Sequence, residues 1–206
     1  STLMRSSAAS DVYKRQHYIY KLSGLPKNQV IGTGTAIDSA RLQNMIAQTV
    51  NVDPRSVHAY SMGEHGDSQM VPWSTVTIAG KPFYDVIADN KELVGDVDLD
   101  ELVYRTTQEG WEIFNRKGTT YYGIATACVG VIKAILNDEN RIIPVSTLLE
   151  GEYGERDVYA GVPTVLNRSG AYDVLEIHMT PGELARFKES TRVIREYTDR
   201  IMKLNL

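Results

Sequence analysis

A histidine stands in a glycine-bracketed loop whose composition suits a chemical site. His65 lies within Gly63-Glu64-His65-Gly66-Asp67-Ser68, between two segments, 57–62 and 71–78, that are predicted to be strands. Glycine accepts unusual backbone dihedrals and lets a ligand approach closely, so an imidazole here can be presented to a pocket. An exposed turn with an incidental histidine explains the loop equally well. On these residues alone, both interpretations stay open.

An acidic and a basic residue three positions apart form the second candidate. Asp38 and Arg41 share one side of the first turn of a helix that we predict from Ser39 to about Val50, capped by Asp38. The simpler interpretation is a surface ion pair contributing ~0–1 kcal/mol. If the pair meets His65, Asp38 can fix the imidazole tautomer and raise its pKa. Arg41 can then grip a carboxylate, which suits a substrate carrying a carboxylate and a hydroxyl or keto group.

Periodic apolar residues predict two long helices in the middle of the chain. One follows Asp98, which resembles a capping box with Glu101, and it ends near Gly118. The next, over residues 119–137, is rich in small residues that permit close packing against neighbours. Residues 91–99 are polar and acidic, which is typical of a surface loop.

Strands and one more helix complete the predicted fold. Residues 142–149 predict a strand, and residues 158–166 with 171–177 predict a hairpin. The tetrad Thr180-Pro181-Gly182-Glu183 predicts the start of a long final helix, because it combines a capping threonine with proline and glutamate at favoured positions. The expected fold class is α+β, with long helices packed against antiparallel strands.

Composition excludes several classes of protein. A net charge of −4 over 206 residues argues against a nucleic-acid or anionic-membrane binder. No apolar run reaches the ~18–20 residues that a membrane-spanning helix needs. Cys128 is the only cysteine, which rules out an intrachain disulfide and a multi-cysteine metal site, and its apolar neighbours predict that it is buried. Residues 31–35 contain Gly-x-Gly without the third glycine of a dinucleotide fingerprint, so the main site for any cofactor must lie elsewhere.

A series of motifs resembles the L-lactate dehydrogenases of the lactate/malate dehydrogenase superfamily. The likeness runs from about His17 to the C-terminus, and the bacterial L-lactate branch resembles the chain most. The motifs are Lys21-Leu22-Ser23-Gly24-Leu25-Pro26, Val30 to Thr35, Asp38-Ser39-Ala40-Arg41, Val57-His58-Ala59-Tyr60, the Gly63 to Ser68 loop, Lys117-Gly118-Thr119-Thr120-Tyr121-Tyr122-Gly123-Ile124 and Leu136-Asn137-Asp138-Glu139-Asn140.

The resemblance implies a role for individual residues and an overall reaction. His65 resembles the proton donor and acceptor, Asp38 its carboxylate partner, and Arg41 the clamp on the substrate carboxylate. Thr120 resembles a residue that lines the methyl side of the substrate. Thr33 and Ile124 resemble the residues that touch the nicotinamide end of NAD. The implied reaction is the reversible reduction of pyruvate to L-lactate by NADH, in a cytoplasmic homotetramer of glycolysis and fermentation.

The resemblance also sets expectations for the organisation of the chain. The family places a nucleotide-binding domain, a mobile loop with a second catalytic arginine and a substrate-contacting asparagine ahead of the motifs found here. We therefore expect residues 17–35 to be the remnant of a Rossmann-type NAD-binding domain, residues 36–206 to be the C-terminal substrate domain, and the chain alone to be inactive. Residues 1–16 match no family motif, and we expect a disordered or artefactual leader.

Allosteric control is the point where the chain departs from the family pattern. Many bacterial relatives bind fructose 1,6-bisphosphate through an arginine on the helix that carries the Asp/Arg pair and through a downstream histidine. His58 resembles that histidine, but Gln43 stands where the arginine is expected and lacks its charge. An ordinary strand residue explains His58 equally well.

Two alternative functions stay open. The first is a malate or other L-2-hydroxy-acid dehydrogenase, because the discriminating loop lies among the residues not found here. Thr120 and the context of His65 favour lactate, and kinetics with pyruvate against oxaloacetate would decide. The second is a non-catalytic oligomerisation fragment, because the helix over residues 119–137 and the final helix would also suit subunit contacts. Light scattering would show such self-association.

Overall fold

The computed structural model describes residues 11–204 as helices packed on two antiparallel sheets. The helices are α1 (Asp11–Ser23), α2 (Ala36–Val50), α3 (Phe83–Asp89), α4 (Lys91–Val94), α5 (Leu99–Lys117), α6 (Tyr121–Leu136) and α7 (Pro181–Leu204). The strands are β1 (Val57–His58), β2 (Thr77–Ile78), β3 (Lys81–Pro82), β4 (Arg141–Glu150), β5 (Arg156–Asn167) and β6 (Gly170–Val174). The α+β fold class is thereby confirmed. Within residues 11–204, no helix is both long and apolar enough to cross a bilayer.

The larger sheet has the strand order β4-β5-β6, and both of its strand pairs are antiparallel. Pro144 and Pro163 face each other in the register of β4 and β5. The Ser146–Gly161 pair lies two residues farther along, so its backbone groups point the same way as those of the prolines. Ser146 bonds to Gly32 and Gly161 bonds to Gly63, which means that these groups point away from the partner strand. Neither proline therefore needs an N–H toward its partner strand, and the sheet accommodates both.

Helix α7 covers one part of this sheet and adds two buried residues to its core. Phe187 is fully buried and Ile194 is 3% exposed, packed with Leu149 and Val162 of the sheet. Removing a side chain such as that of Phe187 from water contributes ~1.5–3 kcal/mol. The helix begins with a capping box, since Thr180 N–H donates to the Glu183 carboxylate and Glu183 N–H donates to the Thr180 hydroxyl.

A second core lies between α2, α5 and the smaller sheet. Its buried residues include Leu42 and Ile46 of α2, Leu102 of α5, and the stacked rings of Trp73 and Phe83. Asp98 caps α5 by accepting hydrogen bonds from the N–H groups of the first turn. This core holds α2, which carries both Asp38 and Arg41, in a fixed position on the rest of the molecule.

Several predicted elements are confirmed and others are wrong. The strand at 142–149, the hairpin and the start of α7 are confirmed. Asp38 is not the cap of α2, because the turn at Gly34 lets the helix begin at Ala36, after Thr35. Only residues 57–58 and 77–78 of the two segments flanking the loop are strands, since residues 73–75 form a 3-10 helix instead. Residues 91–94 form the short helix α4 rather than loop.

The predictions for Cys128 and for the leader also differ from the structure. Cys128 is half-buried rather than core, because much of α6 is exposed. Helix α1 begins at Asp11, inside the expected leader, and Gln16 is only 4% exposed. The Gln16 side-chain amide donates to the carbonyls of Val30 and Ser146, so residue 16 belongs to the folded domain. Residues 1–10 lie outside the described residues, and the domain boundaries stay predictions.

Candidate active site

Two backbone bridges attach the candidate segments to the middle of the larger sheet. Gly32, which leads into α2, pairs with Ser146 of β4, and Gly63, which leads into the His65 loop, pairs with Gly161 of β5. Ser146 and Gly161 are themselves register partners. Both candidate segments therefore leave the sheet from the same pair of opposed residues. The backbone alone thus brings the two segments to the same position along the strands.

Helix α2 then crosses this row of residues closely. A Cβ on Gly161 would lie 2.6 Å from the hydroxyl of Thr35, so only glycine lets the N-terminus of α2 lie over β5 at this point. Farther along α2, the Ser39 hydroxyl accepts a hydrogen bond from Ser61 N–H at 2.9 Å. The start of α2 is thereby joined to the segment that leads to His65, which brings Asp38 and the imidazole together.

His65 and Asp38 form a short hydrogen bond. Nδ1 of His65 lies 2.5 Å from Oδ2 of Asp38, and the Asp38 side chain is 3% exposed against 28% for His65. An ionised carboxylate only accepts hydrogen bonds, so Nδ1 carries the proton, and Nε2 makes no hydrogen bond within residues 11–204. The pairing that the sequence only suggested is present, and the ring orientation follows from it.

Burial shifts the two pKa values toward each other. Burial of Asp38 raises the pKa of its carboxyl to about 6, an effect that the neighbouring Arg41 charge partly offsets. Burial lowers the pKa of His65 below its ordinary value of 6.5. The sequence-based expectation that Asp38 raises the histidine pKa is thus opposed by desolvation, which is the larger effect. At neutral pH the pair holds an ionised aspartate and a neutral imidazole.

Arg41 lies beside this pair without forming a hydrogen bond to it. Its Nη1 is 3.5 Å from Oδ1 of Asp38, and its Nε is 3.9 Å from Oε2 of Glu109. Across residues 11–204 the guanidinium makes no hydrogen bond, and its side chain is 14% exposed. A mostly buried guanidinium with unused donors can take a carboxylate through two parallel bonds. This chemistry matches a small organic acid.

Two residues near Arg41 were not predicted from the sequence to belong to the site. Gly110 of α5 faces the guanidinium, and a Cβ there would lie 3.2 Å from Nη1 of Arg41. Glu109, its neighbour, supplies the second carboxylate near Arg41. A glycine in the interior of a long helix lowers the stability of that helix, so its presence in the sequence indicates that something packs closely against it. Glu109 gave no signal in the sequence.

The other predicted substrate and cofactor positions do not contact this cluster directly. Thr33 precedes α2 and is half-buried, and its carbonyl accepts from Ala36 N–H at 3.1 Å. Thr120 is the exposed residue before α6, and Ile124 is 37% exposed on the first turns of that helix. No hydrogen bond or ion pair joins any of the three to His65 or Arg41 among the described residues. Helix α6 does pack against α2.

The candidate effector position holds a histidine and, in place of the expected arginine, an uncharged glutamine. His58 is exposed on β1, and the Gln43 side chain donates to the Ala59 carbonyl at 3.0 Å. This hydrogen bond uses Gln43 to tie α2 to the chain beside His58. Within the described part of the chain, no group of three His, Cys, Asp or Glu residues is arranged to hold a metal ion.

Comparisons with known proteins place this geometry in a family. Residues 35–204 match the family described as lactate/malate dehydrogenase, alpha/beta C-terminal domain. The chain is 50% identical over 181 residues to L-lactate dehydrogenase 3 of Bacillus cereus, covering 88% of the chain and 57% of that protein. It is 46% identical over 185 residues to L-lactate dehydrogenase 1 of Bifidobacterium longum, covering 90% of the chain and 58% of that protein.

Solved structures give the same result for the fold. The minor L-lactate dehydrogenase of Enterococcus mundtii in its ligands-bound form superposes with a TM-score of 0.87 at 39% identity, over 92% of this chain and 60% of that one. A lactate dehydrogenase from a Medee basin deep-sea metagenome library gives a TM-score of 0.88 at 39% identity, over 93% of this chain and 61% of that one. The chain thus spans less than two thirds of the relatives that it matches. It belongs to the lactate/malate dehydrogenase family, as a chain built mainly of the C-terminal domain.

Proposed function

We propose that this chain is the substrate-binding and proton-transferring part of an NAD-dependent L-lactate dehydrogenase. The observation that carries the proposal is the 2.5 Å hydrogen bond between His65 and Asp38, with the Arg41 guanidinium beside it. The relatives at 46–50% identity are named L-lactate dehydrogenases, which supports lactate and pyruvate as the substrate pair.

The chemistry of the pair follows from its hydrogen bond. In the oxidation of L-lactate, Nε2 of His65 accepts the proton of the hydroxyl, and Asp38 stabilises the imidazolium that forms. In the reduction of pyruvate, the imidazolium returns that proton to the oxygen of the former keto group. Because the bond at Nδ1 persists throughout, the ring keeps its orientation, and only the proton at Nε2 moves.

Arg41 would orient the substrate for this proton transfer. A bidentate bond to the carboxylate leaves the adjacent carbon and its oxygen at a fixed distance from the guanidinium, which selects 2-oxo and 2-hydroxy acids. Gly110 keeps the space beside the guanidinium open. Thr120 remains the proposed residue on the methyl side of the substrate.

NAD is the proposed cofactor, and the described residues fit only its nicotinamide end. The first turns of α6 expose an apolar surface at Tyr121, Tyr122 and Ile124, with exposed fractions of 52%, 68% and 37%. Such a surface suits the face of an aromatic ring, with Ile124 and Thr33 as the contacting residues. The bound cofactor would supply or take up the hydride at the substrate carbon. The phosphates and adenosine would need residues beyond those found here.

The family also suggests a setting for the whole protein. We propose a homotetramer that acts in the cytoplasm during glycolysis and fermentation. The exposed apolar residues of α6, together with the open space at Gly123 and Gly130, are consistent with a surface that other parts of the complete enzyme cover. Sedimentation of the complete enzyme would test the tetramer directly.

A chimera tests the proposed reaction. The amino-terminal region of L-lactate dehydrogenase 3 from Bacillus cereus would precede residues 11–206 of this chain, which keeps α1 and the Gln16 hydrogen bonds, and pyruvate-dependent oxidation of NADH would be measured. We expect activity in the chimera and none in the 206-residue chain alone. Replacing His65 by Gln should lower kcat by ~10²–10⁴-fold, the usual contribution of a general acid.

His178→Gln provides the matched control, because His178 is an exposed histidine outside the cluster and has no role in the proposed reaction. It should leave turnover unchanged. An equal loss of activity in both histidine variants would contradict the role of His65. Preference for oxaloacetate over pyruvate would replace the lactate proposal by a malate dehydrogenase. A folded chimera that is inactive on both acids would favour the oligomerisation alternative.

A further inference from the structure

The loop that carries His65 is fastened to the final helix by a single buried hydroxyl. Ser190 lies on α7, is fully buried, and accepts a hydrogen bond from Glu64 N–H at 2.8 Å. The same oxygen is 3.2 Å from the hydroxyl of Ser68. Glu64 directly precedes the imidazole and Ser68 follows it by three residues, so one atom of α7 contacts the loop on both sides of His65.

The direction of these bonds can be assigned from the number of protons. Ser68 donates its hydroxyl proton to the carboxylate of Glu64 at 2.5 Å, so it has none left for Ser190. The proton between the two hydroxyls therefore belongs to Ser190. Glu64 N–H donates to Ser190, Ser190 donates to Ser68, and Ser68 donates to Glu64. The result is a ring that Glu64 closes with its own side chain, and the two hydroxyls within it polarise each other.

The backbone before the loop is adapted to this ring. Gly63 has φ of +88°, and a Cβ there would lie 2.3 Å from the Ser190 hydroxyl oxygen. Glycine is thus needed for two reasons, its left-handed conformation and the close approach of α7. Gly63 also holds the bridge to Gly161 of β5. The loop is consequently fixed between the sheet and the final helix.

We propose that Ser190 is a positioning residue for His65, which holds the loop so that the imidazole stays on Asp38. Ser190 touches neither the imidazole nor Asp38, so its effect passes through the backbone at Glu64 and through Ser68. The consequence for catalysis rests on the proposed function, whereas the placement of the ring can be measured without cofactor or turnover.

Proton NMR of the 206-residue chain provides the test. The short bond at Nδ1 of His65 should give a resolved low-field proton resonance, which Asp38→Asn identifies by abolishing it. In Ser190→Ala, the Glu64 N–H loses its buried acceptor, and the ring of bonds opens. We expect the low-field resonance to broaden or disappear, and the Glu64 amide to exchange with solvent ~10-fold faster or more.

Thr191→Val is the matched control. Thr191 is the neighbouring residue on α7, is equally buried, and donates its hydroxyl only to the Lys188 carbonyl of its own helix. Its removal should lower stability without moving the resonance. An unchanged resonance in folded Ser190→Ala, or an equal change in Thr191→Val, would overturn the proposal.

Ser68→Ala keeps the proposal testable if Ser190→Ala does not fold. It opens the same ring at its partly buried member, but it leaves the bond from Glu64 N–H to Ser190 in place. A partial loss of the low-field resonance is expected, and no change would count against the proposal. Because activity is not the readout, an inactive chimera would leave these outcomes unaffected.

Discussion

Replacing Asp38 by Asn should make the protein more stable at neutral pH. Asp38 is 2% exposed, and burial raises the pKa of its carboxyl from 3.8 to about 6. Each tenfold change in proton affinity corresponds to about 1.4 kcal/mol, so the ionised carboxylate costs the folded state about 3 kcal/mol relative to the unfolded chain. An asparagine keeps the shape and an acceptor oxygen but never carries the charge.

The sign and the pH window follow from the direction of this pKa change. A raised pKa in the folded state means that Asp38 stabilises the fold fully below pH 3.8, and that this contribution is lost as the pH rises through about 6. His65 acts in the opposite sense, because its lowered pKa removes stability as the pH falls below 6.5. Both proteins contain His65, so to first order its effect cancels in the comparison.

Urea unfolding of the 206-residue chain at pH 4 and pH 7 measures the effect. The free energy of unfolding of Asp38→Asn minus that of the parent should increase by up to about 3 kcal/mol between the two pH values. In thermal unfolding, a change of this size moves Tm by about 2–4 °C per kcal/mol for a chain of this length.

Asp53→Asn is the control for the substitution itself. Asp53 is exposed, and its hydrogen bonds with Arg55 hold its pKa down at about 2. Its stabilising contribution disappears only below its ordinary pKa of 3.8, so the stability difference should hardly change between pH 4 and pH 7. If Asp38→Asn instead loses stability as the pH rises, then His65 and Arg41 stabilise the carboxylate more than burial destabilises it, and the reasoning fails.

Two further predictions concern the reaction and the packing. In the chimera, pyruvate reduction should slow as the pH rises through the lowered pKa of His65, because the imidazolium is the proton donor. Lactate oxidation should accelerate over the same pH range, because the neutral imidazole is the proton acceptor. Identical pH profiles for both directions would contradict this role. Gly161→Ala should cost ~1–3 kcal/mol in urea unfolding, because its Cβ would lie 2.6 Å from the Thr35 hydroxyl. Gly182→Ala, where the added Cβ would meet no atom within 4 Å, is the control and should be neutral or slightly stabilising, and equal losses in both variants would refute the packing argument.

The elements that the sequence predicted well are those with strong local signals. The strand at 142–149 and the hairpin after it have β-branched residues and a turn, and α7 has a complete capping box. The segments around the loop were predicted poorly, because their backbone pairs with distant partners. Gly63 bonds to Gly161, almost a hundred positions later, and no local pattern in residues 57–62 encodes that bridge.

The candidate site divides in the same way. The types and spacing of Asp38, Arg41 and His65 suggested a site, and the resemblance supplied their roles, which stay predictions. The contact between His65 and Asp38 depends on how α2 crosses β5, and this depends on the absence of a side chain at Gly161. Ser190 gave no signal, since a serine inside an amphipathic helix is common and its importance lies entirely in its neighbours.

The hydrogen bond between Glu64 and Ser190 joins residues 126 positions apart, and this separation has a consequence for synthesis. A ribosome makes the imidazole-bearing loop long before it makes the hydroxyl that holds it. Until the last helix has emerged, the Glu64 amide has no protein acceptor, and the loop remains in contact with water. Folding of such remote contacts is slow and comes late, so a nascent chain stopped before residue 190 would lack the acceptor that holds the loop.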